Sequence, residues 1–127
     1  MSWRSWKCRG RKAAGALRNE TRRSELAFNV YIAETITQRT LGLMWVSDFN
    51  EGSALILAGG GGIHTFMVSQ PLDLLFLDQH KRILRIIGSI SPSRISPWVR
   101  GAKWIVELPA GSLEGADIKT GDQLRWE

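Results

Sequence analysis

Apolar and polar residues alternate along several short segments of this chain, and a period of two residues predicts β-strands. Residues 26–34 show the alternation most clearly. The more apolar face of this segment carries Leu26, Phe28, Val30 and Ile32. Six further segments have the length and composition of strands: residues 53–58, 63–68, 72–78, 82–90, 102–108 and 123–126.

Turn-forming residues separate these predicted strands. Residues 59–62 are consecutive glycines, Pro71 lies between two strands, and residues 78–81 form a polar turn. Thr35 is a suitable N-cap for one short helix that ends near Gly42. Short strands at this spacing predict a mostly β (β-rich α+β) fold. We expect a small sandwich or half-closed barrel of about seven short strands with one or two short helices.

Positive charge is concentrated at the start of the chain. Residues 1–23 hold eight Lys or Arg against one acid, whereas residues 24–127 hold nine against eleven, and the whole chain carries +5. Low hydrophobicity with high charge predicts disorder. The sequence therefore predicts a basic, disordered tail over residues 1–23 and a single β-rich domain over residues 24–127.

The predicted tail has two interpretations. It is a solvated extension without a function, or Trp3 and Trp6 among its basic residues stack on nucleobases or lie at an anionic membrane surface. The tail lacks the apolar region of a secretory signal peptide, and no apolar run in the chain is long enough to cross a bilayer. We therefore expect a cytoplasmic protein without a transmembrane segment. The single cysteine, Cys8, excludes an intrachain disulfide.

His64 and Asp73 stand out because they are polar residues within predicted strands that are otherwise apolar. Residues 72–77 are apolar on both faces, which is typical of an interior strand. Asp73 is then a general acid or base, a ligand anchor, or an acceptor of N–H groups from the loop that ends at Pro71. If the two strands pair, His64 approaches Asp73 across the ladder, as in histidine–carboxylate pairs, or it is a satisfied core residue.

Few other residues suggest chemistry. The glycines at 59–62 precede a strand-like segment rather than Gly-Lys-Ser/Thr, so they do not form a P-loop. Two histidines and one cysteine cannot complete a tetrahedral metal site without acids, and we expect no metal and no cofactor. Trp98 lies near Arg100 in a proline-containing loop, where it either stacks on a ligand or covers the core.

Six motifs resemble domain-of-unknown-function family 192, an uncharacterised family of bacterial or archaeal type, in the family's order over residues 28–126. They are Arg39…Gly42-Leu43-Met44, Ile63-His64-Thr65-Phe66, Pro71-Leu72-Asp73, Phe76-Leu77-Asp78, Glu107-Leu108-Pro109-Ala110-Gly111 and Gly121-Asp122. The resemblance implies a compact, mostly β domain with one or two short helices. It implies no activity, substrate or cofactor. The chain departs from the family pattern at residues 67–70, where similar members place a Met followed by a basic or amide residue.

Three functions are compatible with these features. The first is a non-catalytic small-molecule or partner-binding accessory module whose ligand site comprises His64, Ser69, Asp73, Trp98 and Arg100. The second is a hydrolase that uses His64 as base and Asp73 as orienter, for which the sequence offers no complete catalytic set. The third is association of residues 1–23 with nucleic acid or an anionic membrane, with an affinity that falls steeply with salt.

Overall fold

A computed structural model describes residues 13–33, 51–59, 71–91 and 96–126. Within these ranges the chain forms nine β-strands and no helix. The strands are β1 (Ala13–Ala14), β2 (Leu17–Asn19), β3 (Ser24–Ala27), β4 (Asn29–Ala33), β5 (Ser53–Ala58), β6 (Leu72–Leu77), β7 (Ile83–Ile90), β8 (Trp104–Pro109) and β9 (Leu124–Trp126). The helix predicted at residues 35–42 and the strand predicted at 63–68 lie outside the described residues.

The strands form two sheets. The larger sheet has the order β1-β4-β5-β8-β6-β7, and the smaller one has the order β3-β2-β9. β4 and β5 are parallel, whereas the other neighbouring strands are antiparallel. The strand-rich class predicted from the sequence is confirmed, and the two sheets do not close into a barrel.

The larger sheet packs against an apolar cluster on each of its two faces, and its central strands are therefore buried on both sides. All six residues of β6 are buried, as the apolar run predicted. On one face, Leu75 and Leu77 pack with residues of the smaller sheet such as Leu17 and Leu124. The opposite face carries Tyr31, Leu55, Leu57, Leu74, Phe76 and Ile105. We call this second surface the Glu107 face, because Glu107 lies in its middle.

The single strand predicted over residues 26–34 is wrong. The segment forms two strands in different sheets, β3 and β4, which are separated at Phe28. The backbone N–H groups of Phe28 and Asn29 both donate to the Gly52 carbonyl at 3.0 Å. A chain that crosses between two sheets has to interrupt its alternation. Phe28 is therefore 67% exposed rather than part of an apolar face.

The chain joins the fold before residue 24, which corrects the predicted start of the domain. β1 and β2 lie within the segment that its charge marked as a disordered tail. β2 is the middle strand of the smaller sheet, and Leu17 is fully buried. The positive charge of this segment is partly paired, since Arg22 contacts Asp122 and Asp117. The remainder of the predicted tail, residues 1–12, lies outside the described residues.

The predicted polar turn at residues 78–81 is present, and a second turn forms at residues 119–122. The Lys81 N–H donates to the Asp78 carbonyl at 3.0 Å, and the Asp122 N–H donates to the Lys119 carbonyl at 3.1 Å. Within the described ranges, no helix has the length and apolar character to cross a membrane.

Candidate functional site

Asp73 lies near the start of β6 and is only 2% exposed. Its Oδ1 accepts the backbone N–H of Ser89 at 2.8 Å. Its Oδ2 accepts the N–H groups of Gly111 at 3.1 Å and Leu113 at 3.0 Å. One carboxylate therefore holds β7 and the turn after β8 to the central strand β6.

The backbone around Asp73 explains why a carboxylate is needed. Ser89 has φ 55 and Gly111 has φ 93, so neither residue has ordinary strand geometry. The β6–β7 pairing also shifts register between Leu72 and Leu74. The side chain of Asp73 thus accepts backbone donors at irregular positions. This is the geometry of a backbone anchor, with other partners than the predicted Pro71 loop. A direct role of Asp73 toward a ligand stays a prediction.

Glu107 is a buried acid that the sequence analysis used only as part of a family motif. It lies in the central strand β8, where Leu55 and Leu74 are its neighbours on the two adjoining strands. Glu107 is only 5% exposed, and its Oε2 has no hydrogen-bond partner among the described residues. The sequence does contain a signal, because Glu107 is the only charged residue in the strand Trp104–Pro109.

Burial controls the protonation of Glu107. Desolvation raises the pKa of this carboxyl from 4.5 to about 8. At pH 7 the folded protein therefore holds Glu107 mainly in its neutral, protonated form. A neutral carboxyl can both donate and accept a hydrogen bond, whereas an ionised one only accepts.

The residues predicted to bind a ligand do not all lie in the described part of the chain. Trp98 is 77% exposed and Arg100 is exposed, and both flank Val99, which packs against the cluster on the Glu107 face. They therefore lie in a loop at the edge of that face. His64 and Ser69 lie outside the described residues, and so does the predicted contact between His64 and Asp73.

A second polar cluster joins the start and the end of the described chain. Asp122 is buried, and its Oδ2 accepts Arg22 Nε at 2.7 Å, Asn19 Nδ2 at 2.9 Å and the Lys119 N–H at 2.9 Å. Arg22 also contacts both carboxylate oxygens of Asp117 at 3.2 Å. The cluster fixes the turn after β2 against the turn before β9.

Protonation of Asp122 in acid is expected to destabilise the folded protein. Burial raises the pKa of Asp122, but hydrogen bonds from Arg22, Asn19 and the Lys119 amide outweigh it and lower the pKa from 3.8 to about 2. A lowered pKa stabilises the fold above pH 4, and this stabilisation is lost as the pH falls toward 2. Between pH 4.5 and 2, urea unfolding should show that wild type loses about 2 kcal/mol more than Asp122→Asn. Equal losses in both proteins would contradict this assignment.

A surface cleft lies between β3 and the turn after β8. Its volume is about 520 Å³. Residues 25–28 line it together with residues 51–52, residues 109–112 and Glu114. We call it the Phe28 cleft. Asp73 holds the turn after β8 in place through the N–H of Gly111.

The described residues do not suggest a metal centre. Within these ranges, no three His, Cys, Asp or Glu side chains are close enough to hold a metal ion. The polar groups available for chemistry in this part of the chain are therefore the buried carboxyls and the residues around the cleft.

Solved structures of similar fold come from two bacteria. A protein from Sinorhizobium meliloti 1021, proposed to be a transcription regulator, has a TM-score of 0.77 at 22% identity, covering 92% of this chain and 94% of that one. A protein of unknown function from Novosphingobium aromaticivorans has a TM-score of 0.76 at 19% identity, covering 91% and 85%. At these identities the likeness shows the fold alone.

Sequence relatives are archaeal proteins of the UPF0127 group. The protein of Thermococcus sibiricus is 30% identical over 118 residues, which cover 86% of this chain and 73% of that protein. The protein of Pyrococcus abyssi is 28% identical over 118 residues, covering 88% and 97%. The model of family DUF192, described as an uncharacterized ACR, matches residues 17–126. The chain therefore belongs to domain-of-unknown-function family 192, as its motifs predicted.

Proposed function

We propose that this protein is a non-catalytic binding module, and that it holds a small, largely apolar molecule against the Glu107 face. The observation that carries the proposal is the buried Glu107 carboxyl, whose Oε2 has no hydrogen-bond partner. A ligand group would supply that partner.

The energetic cost of Glu107 supports a functional role. A buried polar atom without a partner costs about 1–3 kcal/mol, and apolar side chains of similar size do not incur this cost. Buried groups of this kind concentrate at functional sites, where their chemistry compensates for the lost stability. Leu55 and Leu74 show that apolar residues fit the positions beside Glu107.

The surroundings of Glu107 define the kind of ligand. Leu55, Leu74 and Phe76 are fully buried and make the surroundings of the carboxyl apolar, so a ligand group that reaches Glu107 would enter an apolar environment. Oε2 of the protonated carboxyl can either donate its O–H or accept an N–H, and the C=O and N–H of an amide can supply either partner. The ligand class is therefore a neutral aliphatic amide or a molecule that contains one. Trp98 and Arg100, on the adjoining loop, would contact the part of the ligand that reaches solvent.

The two other functions gain no support from the described contacts. A hydrolase would need Asp73 to orient His64, which lies outside the described residues, and the described partners of Asp73 are backbone N–H groups. Association through residues 1–23 would use a segment of which residues 13–23 belong to the fold. Both functions stay predictions from the sequence.

Titration of the labelled protein with butyramide, followed by NMR, tests the proposal. We expect saturable shifts of the Leu55, Leu74 and Glu107 amide signals at pH 6. Binding should weaken about tenfold at pH 9, because a group with a pKa of about 8 is then mostly ionised and no longer donates. Butylammonium, as the charged comparison, should show the opposite pH dependence.

Two variants make the test specific. Glu107→Leu should abolish the butyramide shifts while the protein stays folded, because the substitution removes a buried carboxyl and keeps an apolar side chain. Glu20→Gln removes an exposed acid outside the Glu107 face and should bind as wild type does. Equal butyramide shifts in wild type and Glu107→Leu, or no shifts in either, would refute the proposal.

A further inference from the structure

We propose that the Phe28 cleft docks an extended, basic segment of a partner protein, which pairs with the edge of β3 and lays a lysine or arginine side chain over Phe28. The proposal is independent of the Glu107 face, since none of the cleft residues belongs to that face.

The edge of β3 provides the first element of the docking surface. Among the described residues, β3 pairs only with β2, and its residues 25–27 line the cleft. Backbone N–H and C=O groups along a strand edge can pair with an added strand of another chain. Main-chain pairing supplies affinity without requiring a particular sequence.

Phe28 provides the second element. The ring is 67% exposed, yet it is held in place because it packs directly on the backbone of Gly52. A Cβ atom built on Gly52 would collide with the ring carbons, and Gly52 has φ 88, so this position favours glycine. A large apolar ring that is fixed and still exposed at a cleft is typical of a contact surface.

The charge of the cleft identifies the partner. Glu25, Glu51 and Glu114 line it, and none of the described lining residues is Lys or Arg. Arg18 lies 3.9 Å from the carboxylate of Glu25, so Glu51 and Glu114 contribute most of the negative charge. A cation above the face of a Phe ring is attracted by the ring quadrupole, and the nearby carboxylates add to this attraction. An acidic segment would be repelled. The charge therefore complements a segment that carries Lys or Arg.

The cleft is also formed in advance. Asp73 fixes the turn after β8 through Gly111 and Leu113, and the Phe28 N–H donates to Gly52. Both sides of the cleft are thus held by buried or backbone contacts rather than by the partner. Such preorganisation lowers the entropy cost of binding an extended peptide.

A blocked heptapeptide of alternating valine and arginine tests the proposal on the full chain. In NMR titrations we expect shifts at residues 25–28, at Gly52 and at residues 110–112. The affinity should fall about threefold or more when salt is raised from about 20 to 150 mM. The same peptide with glutamine in place of arginine should bind at least about tenfold more weakly, because the cation is lost. Methylation of the peptide backbone nitrogens should abolish binding.

Substitutions in the cleft locate the site. Phe28→Leu keeps an apolar side chain without an aromatic face and should weaken the arginine peptide about threefold to tenfold, and Glu51→Gln should also weaken it. Glu20→Gln is the control, since it removes an acid elsewhere, and it should bind as wild type does. Binding that is unchanged in both cleft variants would overturn the proposal. So would N-acetyl-arginine amide binding as tightly as the peptide, because the site would then hold a small cation rather than a strand.

Discussion

Between pH 5 and pH 8, wild-type protein is expected to lose about 2–4 kcal/mol of unfolding free energy relative to the Glu107→Gln variant. The reason is the raised pKa of Glu107, about 8 in the folded protein against 4.5 when the group is free in water. Between these values the folded state keeps the proton and the unfolded state releases it.

The direction of this dependence follows from the proton count. The unfolded state binds fewer protons than the folded state in this range, so the free energy of unfolding falls as the pH rises. The limiting slope for one proton is about 1.4 kcal/mol per pH unit. The contribution of Glu107 to stability is therefore largest below pH 4.5, and it is lost as the pH rises through about 8. Asp122 acts below pH 4, so its effect does not overlap.

Urea unfolding at several pH values measures the effect as a difference between the two proteins. Glutamine has the size of glutamate but does not titrate. The pH dependence that other ionisable groups cause is the same in both proteins and cancels in the difference. Glu20→Gln is the control for the loss of one acid from the surface, since Glu20 is exposed and contacts only Arg125 among the pairs described. A constant difference between wild type and Glu107→Gln from pH 5 to 8 would contradict the assignment.

Replacement of Asp73 by alanine is expected to cost about 3–5 kcal/mol of unfolding free energy. The substitution removes the buried acceptor for the N–H groups of Ser89, Gly111 and Leu113, which lie at part-buried positions. Each lost hydrogen bond to a charged group costs about 1.5–3 kcal/mol, and water that enters the site recovers part of the sum.

Hydrogen exchange shows whether this loss comes from the anchor. In Asp73→Ala, the amides of Ser89, Gly111 and Leu113 should exchange faster than in wild type, by more than the loss of global stability accounts for. Asp73→Asn keeps one carbonyl acceptor and should therefore be less destabilised than Asp73→Ala. If Asp73→Ala unfolds at the wild-type urea concentration, the carboxylate does not anchor these segments.

The strands were largely predictable, because apolar alternation is a local property. β5 at Ser53–Ala58 has the predicted limits, and β6 has the predicted burial on both faces. The crossing between sheets at Phe28 was not predictable, since it depends on the Gly52 carbonyl far away in the sequence. A Phe in an alternating pattern resembles a core residue until that contact is known.

The start of the fold was not predictable from composition, because residues 1–23 are strongly basic. Leu17 is one apolar residue among many basic ones, so the segment resembles a disordered tail. Its burial depends on pairing of β2 with β9 at the opposite end of the chain. Composition contains no information about such a distant partner.

The candidate site was predictable only in part. Asp73 was identified because an acid in an apolar strand is unusual, but its donors lie 16, 38 and 40 residues away and the sequence does not specify them. Glu107 is also an acid in an apolar strand, but the sequence did not identify it as a candidate. The difference between an anchored acid and an unpartnered one is a matter of tertiary contacts.

The proposed ligand site requires Glu107 to be a neutral carboxyl in the folded protein at physiological pH. Carbon-13 NMR of the labelled side-chain carboxyl, followed from pH 4 to pH 10, measures this directly. We predict one glutamate signal that titrates with a midpoint near 8 and that is absent in Glu107→Gln. A Glu107 signal with a midpoint near 4.5 would contradict the account, because the carboxyl would then be ionised and could not donate a hydrogen bond to a ligand.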